Sequence, residues 1–435
     1  MIFSVFVSFE PFVVNLFKSP QFHRAHPCSL PVKSARVQPG SFPWSAGSGR
    51  GLLIGWVCLI ALAGAARAGE DIQFTPSASA RLWLGAASNQ AGRDYPNFGK
   101  NETPPNAAAI ADFEADLAVA VALPSDVSLG GELDLSPEAN QLTRFTRYRA
   151  LRRAYANLTG DYGALSLGMR ENAGKILHLA APELTGMGGQ DGNWWQALGV
   201  PAGHRGLQRT YAGDDQNSPK IVYLTPSVYG FTAGLSYTPR SDNNGVGFSP
   251  VIPRPGDDFL AYDLAYRQAL GPVGLLRGDF GAGQSNNGAL HFYQGGLRLS
   301  YAGWALGGSL LRREVANAAP LYKDLLGQGT AWDGGLSYGI GPYALAFNYF
   351  AERAAKGSTT DSFVLVNGAS QLAALGSGGF AYDHDQVIAL EGLYRISPRF
   401  SLSLTGLRAN YADAYGVRAE QNRGWACLSG VTVRF

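Results

Sequence analysis

The chain has 435 residues, of which 46% are apolar and 16% charged, with 56 glycines, 20 tyrosines, 22 phenylalanines and three each of cysteine and methionine. So few cysteines exclude a disulfide scaffold or a cysteine-ligated metal protein, and so many aromatics exclude a disordered chain. The mean hydropathy of −0.05 does not exclude a membrane protein, because strands that alternate apolar and polar residues average to zero.

The first feature along the chain is the apolar run from Gly51 to Ala66, bounded by Arg50 and Arg67. At sixteen residues it is shorter than the roughly 20 a transmembrane helix needs. A basic flank, an apolar core and the small-x-small end Ala66-Arg67-Ala68 predict a signal peptide over 50–68, cut before Gly69. Residues 1–49 show no alternation, so residues 1–68 read as a leader: an extension ahead of the signal peptide, with translation expected to start near Leu30 or Val37. Cleavage leaves residues 69–435 as a single domain with 29 basic and 32 acidic residues. The basic balance therefore leaves with the leader, and nothing points to nucleic acid. Cys28 and Cys58 leave too, so Cys427 stays alone and no disulfide forms within the chain.

From residue 72 onward the signal has period two. Leu260, Tyr262, Leu264 and Tyr266 alternate with Ala261, Asp263, Ala265 and Arg267, and Phe231 to Thr238 repeats the pattern. Such segments occur at 77–88, 109–123, 127–135, 147–159, 164–170, 220–225, 231–238, 258–268, 273–282, 289–301, 304–314, 330–340, 343–354, 385–396, 400–411 and 424–435. Tight connections such as Ala302-Gly303 and Gly341-Pro342 alternate with long ones, of which 171–219 and 355–384 are the longest. Short turns at one end and long loops at the other predict a 16-stranded antiparallel transmembrane β-barrel, an all-β fold.

Val431, Val433 and the terminal Phe435 share one face of the last segment. There the chain resembles the Gram-negative trimeric porin family, whose last strand ends in phenylalanine. The stretch from Ala156 to Gly168, with its Gly160-Asp161-Tyr162-Gly163 turn, is similar to that family's hairpin ahead of the third loop. Lys220–Pro226 and Gly230–Tyr237 are similar to the hairpin after it. The resemblance covers the whole of 69–435, with the excess length in loops.

The resemblance implies a general diffusion porin: a water-filled outer-membrane channel for small hydrophilic solutes and ions, exported through its signal peptide. It implies a third loop, 171–219, folded into the barrel. That loop contains Pro182-Glu183-Leu184, a plausible first helical turn, and the apolar pair Trp194-Trp195, which needs a packing partner. It also implies a basic constriction wall, filled here by Arg81, Arg147, Arg149, Arg153 and Arg170. Asp112, Glu114, Asp116, Glu132 and Asp134 are expected to oppose them, with Glu183 and Asp191 on the loop. Arg152 falls on the outer face by parity. On that reading, replacing Arg149 and Arg153 by Ser weakens anion passage.

Val431, Val433 and Phe435 would be the signal to the barrel-assembly machinery, and lipopolysaccharide and other outer-membrane lipid would surround the wall. Strands one to three show aliphatic residues without an aromatic girdle, which agrees with a homotrimer packed through them. No cofactor and no metal site is expected, since His178, His204, His291 and His384 lack ligand spacing. Asp214-Asp215 and Asp257-Asp258 could hold Ca²⁺, against the plainer reading as solvated charge. The alternative function is a substrate-selective channel, preferring sugars or anions. An enzyme is not expected, because it needs a nucleophile with a histidine in reach and no histidine lies within a strand core.

Overall fold

A computed structural model of the chain describes residues 72–89, 107–123, 126–135, 151–190, 192–201, 204, 206–215, 218–241, 257–285, 288–316, 327–356, 365–366, 369–370, 381–416 and 421–435. The leader with its cleavage point, Arg147, Arg149 and Asp191 lie outside these residues.

The strands are β1 (Ile72–Asn89), β2 (Ala107–Leu123), β3 (Val127–Leu135), β4 (Leu151–Gly160), β5 (Gly163–Met169), β6 (Pro219–Leu224), β7 (Phe231–Thr238), β8 (Phe259–Leu270) and β9 (Gly274–Ser285). They continue as β10 (Leu290–Tyr301), β11 (Trp304–Val315), β12 (Gly329–Ile340), β13 (Tyr343–Lys356), β14 (Leu365–Val366), β15 (Ala369–Ser370), β16 (Ala381–Ser397), β17 (Phe400–Ala412) and β18 (Asn422–Arg434). β14 and β15 pair only with each other, and the other sixteen strands form a closed antiparallel barrel in sequence order. The seam is β1 against β18, from Ser79↔Arg434 to Asn89↔Gly424. It is completed where Phe435 donates its backbone N–H to Ala78 O at 2.8 Å, so the terminal residue takes part in closing the wall. A closed barrel leaves no strand edge unpaired, the condition for crossing lipid with strands.

Alternation sets which side is which. On β8, Tyr262 and Leu264 stand exposed while Phe259, Ala261 and Asp263 between and beside them are buried. The buried face of the barrel is rich in polar groups, among them Asp279, Gln294, Asp333, Asn348, Glu352 and Glu391. This inverts a soluble sandwich. Large apolar side chains left in water would each forfeit about 1.5–3 kcal/mol, so the outer face is stable only against lipid. Aromatic rings pair across strands on that face, Trp304 with Tyr338 at 4.4 Å and Tyr343 with Tyr394 at 5.0 Å. The wall of β1–β3 is mostly aliphatic, but Phe74 and Phe113 also stand exposed on it, so it is not free of aromatics. Among the described residues it presents no outward Tyr or Trp.

The turns follow from residue chemistry. Ala302 and Gly303 both have positive φ, 46° and 87°, as a two-residue hairpin turn that matches the strand twist requires. One irregularity matters for the site. Between β3 and β4 the register slips, with Asp134 opposite Arg153 and Leu135 opposite Leu151. Arg152 is the extra residue of this bulge. Parity changes sign there, which sets Arg152 and Arg153 on the same side of the wall.

Candidate inner-wall site

The long connection between β5 and β6 holds two short helices, α1 (Ala173–Leu177) and α2 (Trp194–Ala197). Asn172 caps α1, its Oδ1 accepting from Lys175 N at 2.8 Å, and its amide donates to Ala212 O and Asp215 Oδ1. Such a cap satisfies a helix-end donor that would otherwise be orphaned. The expected helical turn at Pro182-Glu183-Leu184 does not form. The N–H of Leu184 is taken instead by Glu391 Oε2 at 2.8 Å.

That capture recurs along the segment. Leu179 N donates to Asp279 at 2.8 Å, Ala181 N to Asp333 at 3.1 Å, Leu207 N to Glu352 at 2.9 Å and Ala212 N to Gln294 at 2.9 Å. Glu391 also accepts from Thr185 Oγ1 at 2.7 Å and Gly188 N at 3.1 Å. In return Arg298 donates to the carbonyls of Ala180 and Ala181, and Tyr411 to that of Leu198 at 2.8 Å. All these wall residues lie on the inner faces of β9, β10, β12, β13, β16 and β17. Irregular backbone carries amides that no ladder satisfies, and side chains of the wall take that role. Close approach needs small residues: a Cβ on Gly296 would sit 2.0 Å from Leu179 O, and one on Gly188 2.4 Å from Ala389 Cβ.

Apolar packing adds to this. Trp194 is fully buried, 5.9 Å from the Tyr411 ring and 6.2 Å from Phe350, with its indole N–H on Gly189 O. Trp195 packs part-buried against the same cluster. His178 lies between Asp279 at 3.0 Å and Thr210 Oγ1 at 3.1 Å, and Thr210 meets Ser309 at 2.6 Å. A histidine therefore does sit beside hydroxyls, from the loop and not from a strand core. Asp279 and Ser309 are buried on the wall and Thr210 on the loop, which suits a pin rather than a reacting centre.

The arginines of the N-terminal wall are brought together with acids of the same wall, not set across from them. Arg153 lies 2.8 Å from Asp134 and 3.4 Å from each of Glu114, Asp116 and Glu132. Arg152 reaches Glu114 at 3.3 Å and Asp134 at 3.8 Å, so the bulge turns it inward, not outward. Arg81 pairs with Asp112 at 3.5 Å, Tyr155 donates to Glu132 at 2.6 Å, and Arg170 lies over the Tyr155 ring at 4.5 Å. The reason is topological: β2, β3 and β4 are adjacent strands, so inward residues at one height are cross-strand neighbours. Beyond the strand ends Glu171 joins this group. Burial opposes its charge, yet Lys175 at 3.2 Å and the nearby arginines hold its carboxyl below the usual range.

Glu183 lies apart from this cluster and acts on Arg298 of β10. Among the loop acids named for Ca²⁺, Asp214 is held by Arg209 at 2.9 Å and Arg313 at 3.0 Å, and Asp215 by Lys220 at 2.8 Å. Asp257 accepts from Ser241 N and Asp258 from the Tyr237 hydroxyl. Glu114, Asp116 and Asp134 bring carboxylate oxygens within 4.8 Å of one another, around arginines that already neutralise them. The wall carboxylates Asp279, Asp333, Glu352 and Glu391 were missed in the sequence. Their signal was an acid on an inward position of a mid-barrel strand, and Gly295-Gly296 inside β10 marked a close backbone approach.

A family model described as Gram-negative porin matches residues 55–413. Among solved structures, a loop-deletion mutant of OmpT, an outer membrane protein of Vibrio cholerae, matches with TM-score 0.52 and 10% identity over 84% of this chain and 99% of that one. The outer membrane channel DcaP of Acinetobacter baumannii matches with TM-score 0.52 and 12% identity over 85% and 98%. OmpT in its trimer form gives 0.51 and 9% over 84% and 99%. At these identities the likeness is one of fold. No curated protein matches the chain.

Proposed function

The chain belongs to the Gram-negative porin family and forms an outer-membrane barrel for passive diffusion of small hydrophilic solutes and ions, and from that premise we propose how this barrel sets its pore. Segment 170–218 is the constriction. The observation that carries this reading is the capture of its amides by inward carboxylates, above all Glu391, which accepts from Leu184, Thr185 and Gly188. A loop tied at so many points along β9–β17, with its apolar cluster reaching Trp83 and Ile110, occupies part of the lumen and leaves passage on the side of β3–β5.

The barrel works as a homotrimer packed through β1–β3, where the outer wall is mostly aliphatic and lacks outward Tyr and Trp among the described residues. One structural neighbour is a trimer form. The remaining wall faces lipid and lipopolysaccharide, and the strand end Val431, Val433 and Phe435 addresses the assembly machinery. The protein carries out no catalysis: the Asp279–His178–Thr210 series lies between wall and loop with its side chains covered, and holds the loop.

Planar-bilayer conductance of the purified protein with liposome swelling tests this reading. Open ohmic channels and swelling rates that fall smoothly with solute size are expected. Saturating uptake of one solute would replace the general pore by the selective one, and absent conductance would contradict a channel. Cross-linking in detergent should give a trimer band.

A further inference from the structure

The inner wall carries a second set of arginines with different surroundings. In the register of β8, β9 and β10, Arg267 stands opposite Arg277 and Arg277 opposite Arg298. All three are on the inward face, as Asp263, Asp279 and Gln294 on the same parity show by their burial. Arg267 is exposed, and Arg277 and Arg298 are half-buried. Directly opposed like charges on a sheet destabilise it, and at about 5 Å between neighbouring Cβ atoms salt screens them little.

No acid of the wall pairs with Arg267 or Arg277 among the described residues. Arg298 spends its donors on the carbonyls of Ala180 and Ala181. Neither Arg267 nor Arg277 has a side-chain hydrogen bond or ion pair among the described residues, and the Nε of Arg277 is buried without an acceptor. The acids nearest along these strands are committed elsewhere. On β8 Asp263 accepts from Gln294, on β9 Asp279 is held by His178 and Leu179, and Asp333 of β12 is held by Ala181 and Ser309; all three are buried. What faces the pore water is guanidinium. Its planar fork matches the two oxygens of a carboxylate or phosphate, and a row of forks can pass an oxyanion from one to the next.

We infer that Arg267, Arg277 and Arg298 form an anion-binding row on the inner wall, between the loop and the short-turn end, that selects small oxyanionic solutes. The inference rests on the channel reading and names its solute class. The row, and not the arginines of β4, gives the pore its preference, because Arg267 and Arg277 face the lumen without an ion pair among the described residues while Arg153 is enclosed by carboxylates.

The test uses the full protein in planar bilayers, with inorganic phosphate as the probe against a KCl current. Wild type should favour chloride over potassium and be blocked by phosphate. In R267Q/R277Q the block should weaken at least about tenfold, the factor carried by one charge-assisted hydrogen bond, and the reversal potential should move toward potassium. A thermal melt separates this from misfolding: the variant should melt no lower than wild type, since repulsion is relieved, and phosphate should stabilise wild type only. Equal block and equal reversal potential in a conducting wild type and variant would overturn the proposal alone. A wild type that conducts nothing would overturn the channel reading and this proposal with it.

Discussion

Arg153 and Arg277 are inward arginines of one barrel, yet they differ in what surrounds them. Arg153 is enclosed by four carboxylates on β2 and β3. Arg277 is flanked by two more arginines. The first wall stores its charge in ion pairs and offers a solute little net field. The second leaves its charge open to water. The lesson is that charge counted along one strand does not give the charge a solute meets; the cross-strand neighbours decide it. On β2–β4 the acids are adjacent to the arginines. On β9 and β12 the acids are adjacent to the loop, whose amides take them out of the pore.

The largest effect is expected from Glu391→Ala, which leaves two amides and a hydroxyl of the loop without their acceptor. It should loosen the loop by roughly 3 kcal/mol or more and produce larger, noisier single-channel currents. Unchanged conductance would mean that the loop does not narrow the pore. Gly296→Ala acts on the same contact by crowding. Its Cβ meets Leu179 O, so a loss of about 1–3 kcal/mol and altered current noise are expected.

The two arginines should answer in opposite directions when stability is read by heat denaturation. Arg153→Gln uncovers neighbouring carboxylates, one of them fully buried, and should destabilise by roughly 1–3 kcal/mol. Arg277→Gln relieves a like-charge contact and should stabilise by about 0.2–1 kcal/mol. The smallest effect is Lys175→Gln, which removes the partner of Glu171 on one helical turn. Because the folded carboxyl is held below its usual range, its contribution is present above the unfolded value and fades as pH falls through the folded one. A difference of about 0.5 kcal/mol at neutral pH should therefore vanish in acid.

The barrel was legible in the sequence because lipid and water enforce a period of two on every strand. Strands such as Val127–Leu135 and Phe231–Thr238 fall at the expected bounds, and Phe435 lies where the wall closes. The site was less so. Parity assigned Arg152 outward, and the bulge turns it inward; no local signal in Leu151-Arg152-Arg153 marks the inserted residue. Expecting acids on β2 and β3 to oppose β4 ignored that adjacent strands share a wall. The helix expected at Pro182 lost to a carboxylate two hundred residues away in the chain, which no local pattern carries. The arginine row was readable in part. Arg267 and Arg277 stand equally far from the turn at 271–273, and a hairpin pairs residues equidistant from its turn.

The most direct test sets the two walls side by side: the reversal potential in an approximately tenfold KCl gradient for wild type, for R153Q/D134N and for R267Q/R277Q. R153Q/D134N removes one cation and one anion from the paired wall and should leave the reversal potential near that of wild type. R267Q/R277Q strips the open wall and should move it toward potassium. If the first variant shifts the potential and the second does not, the paired wall governs the pore and the account is wrong.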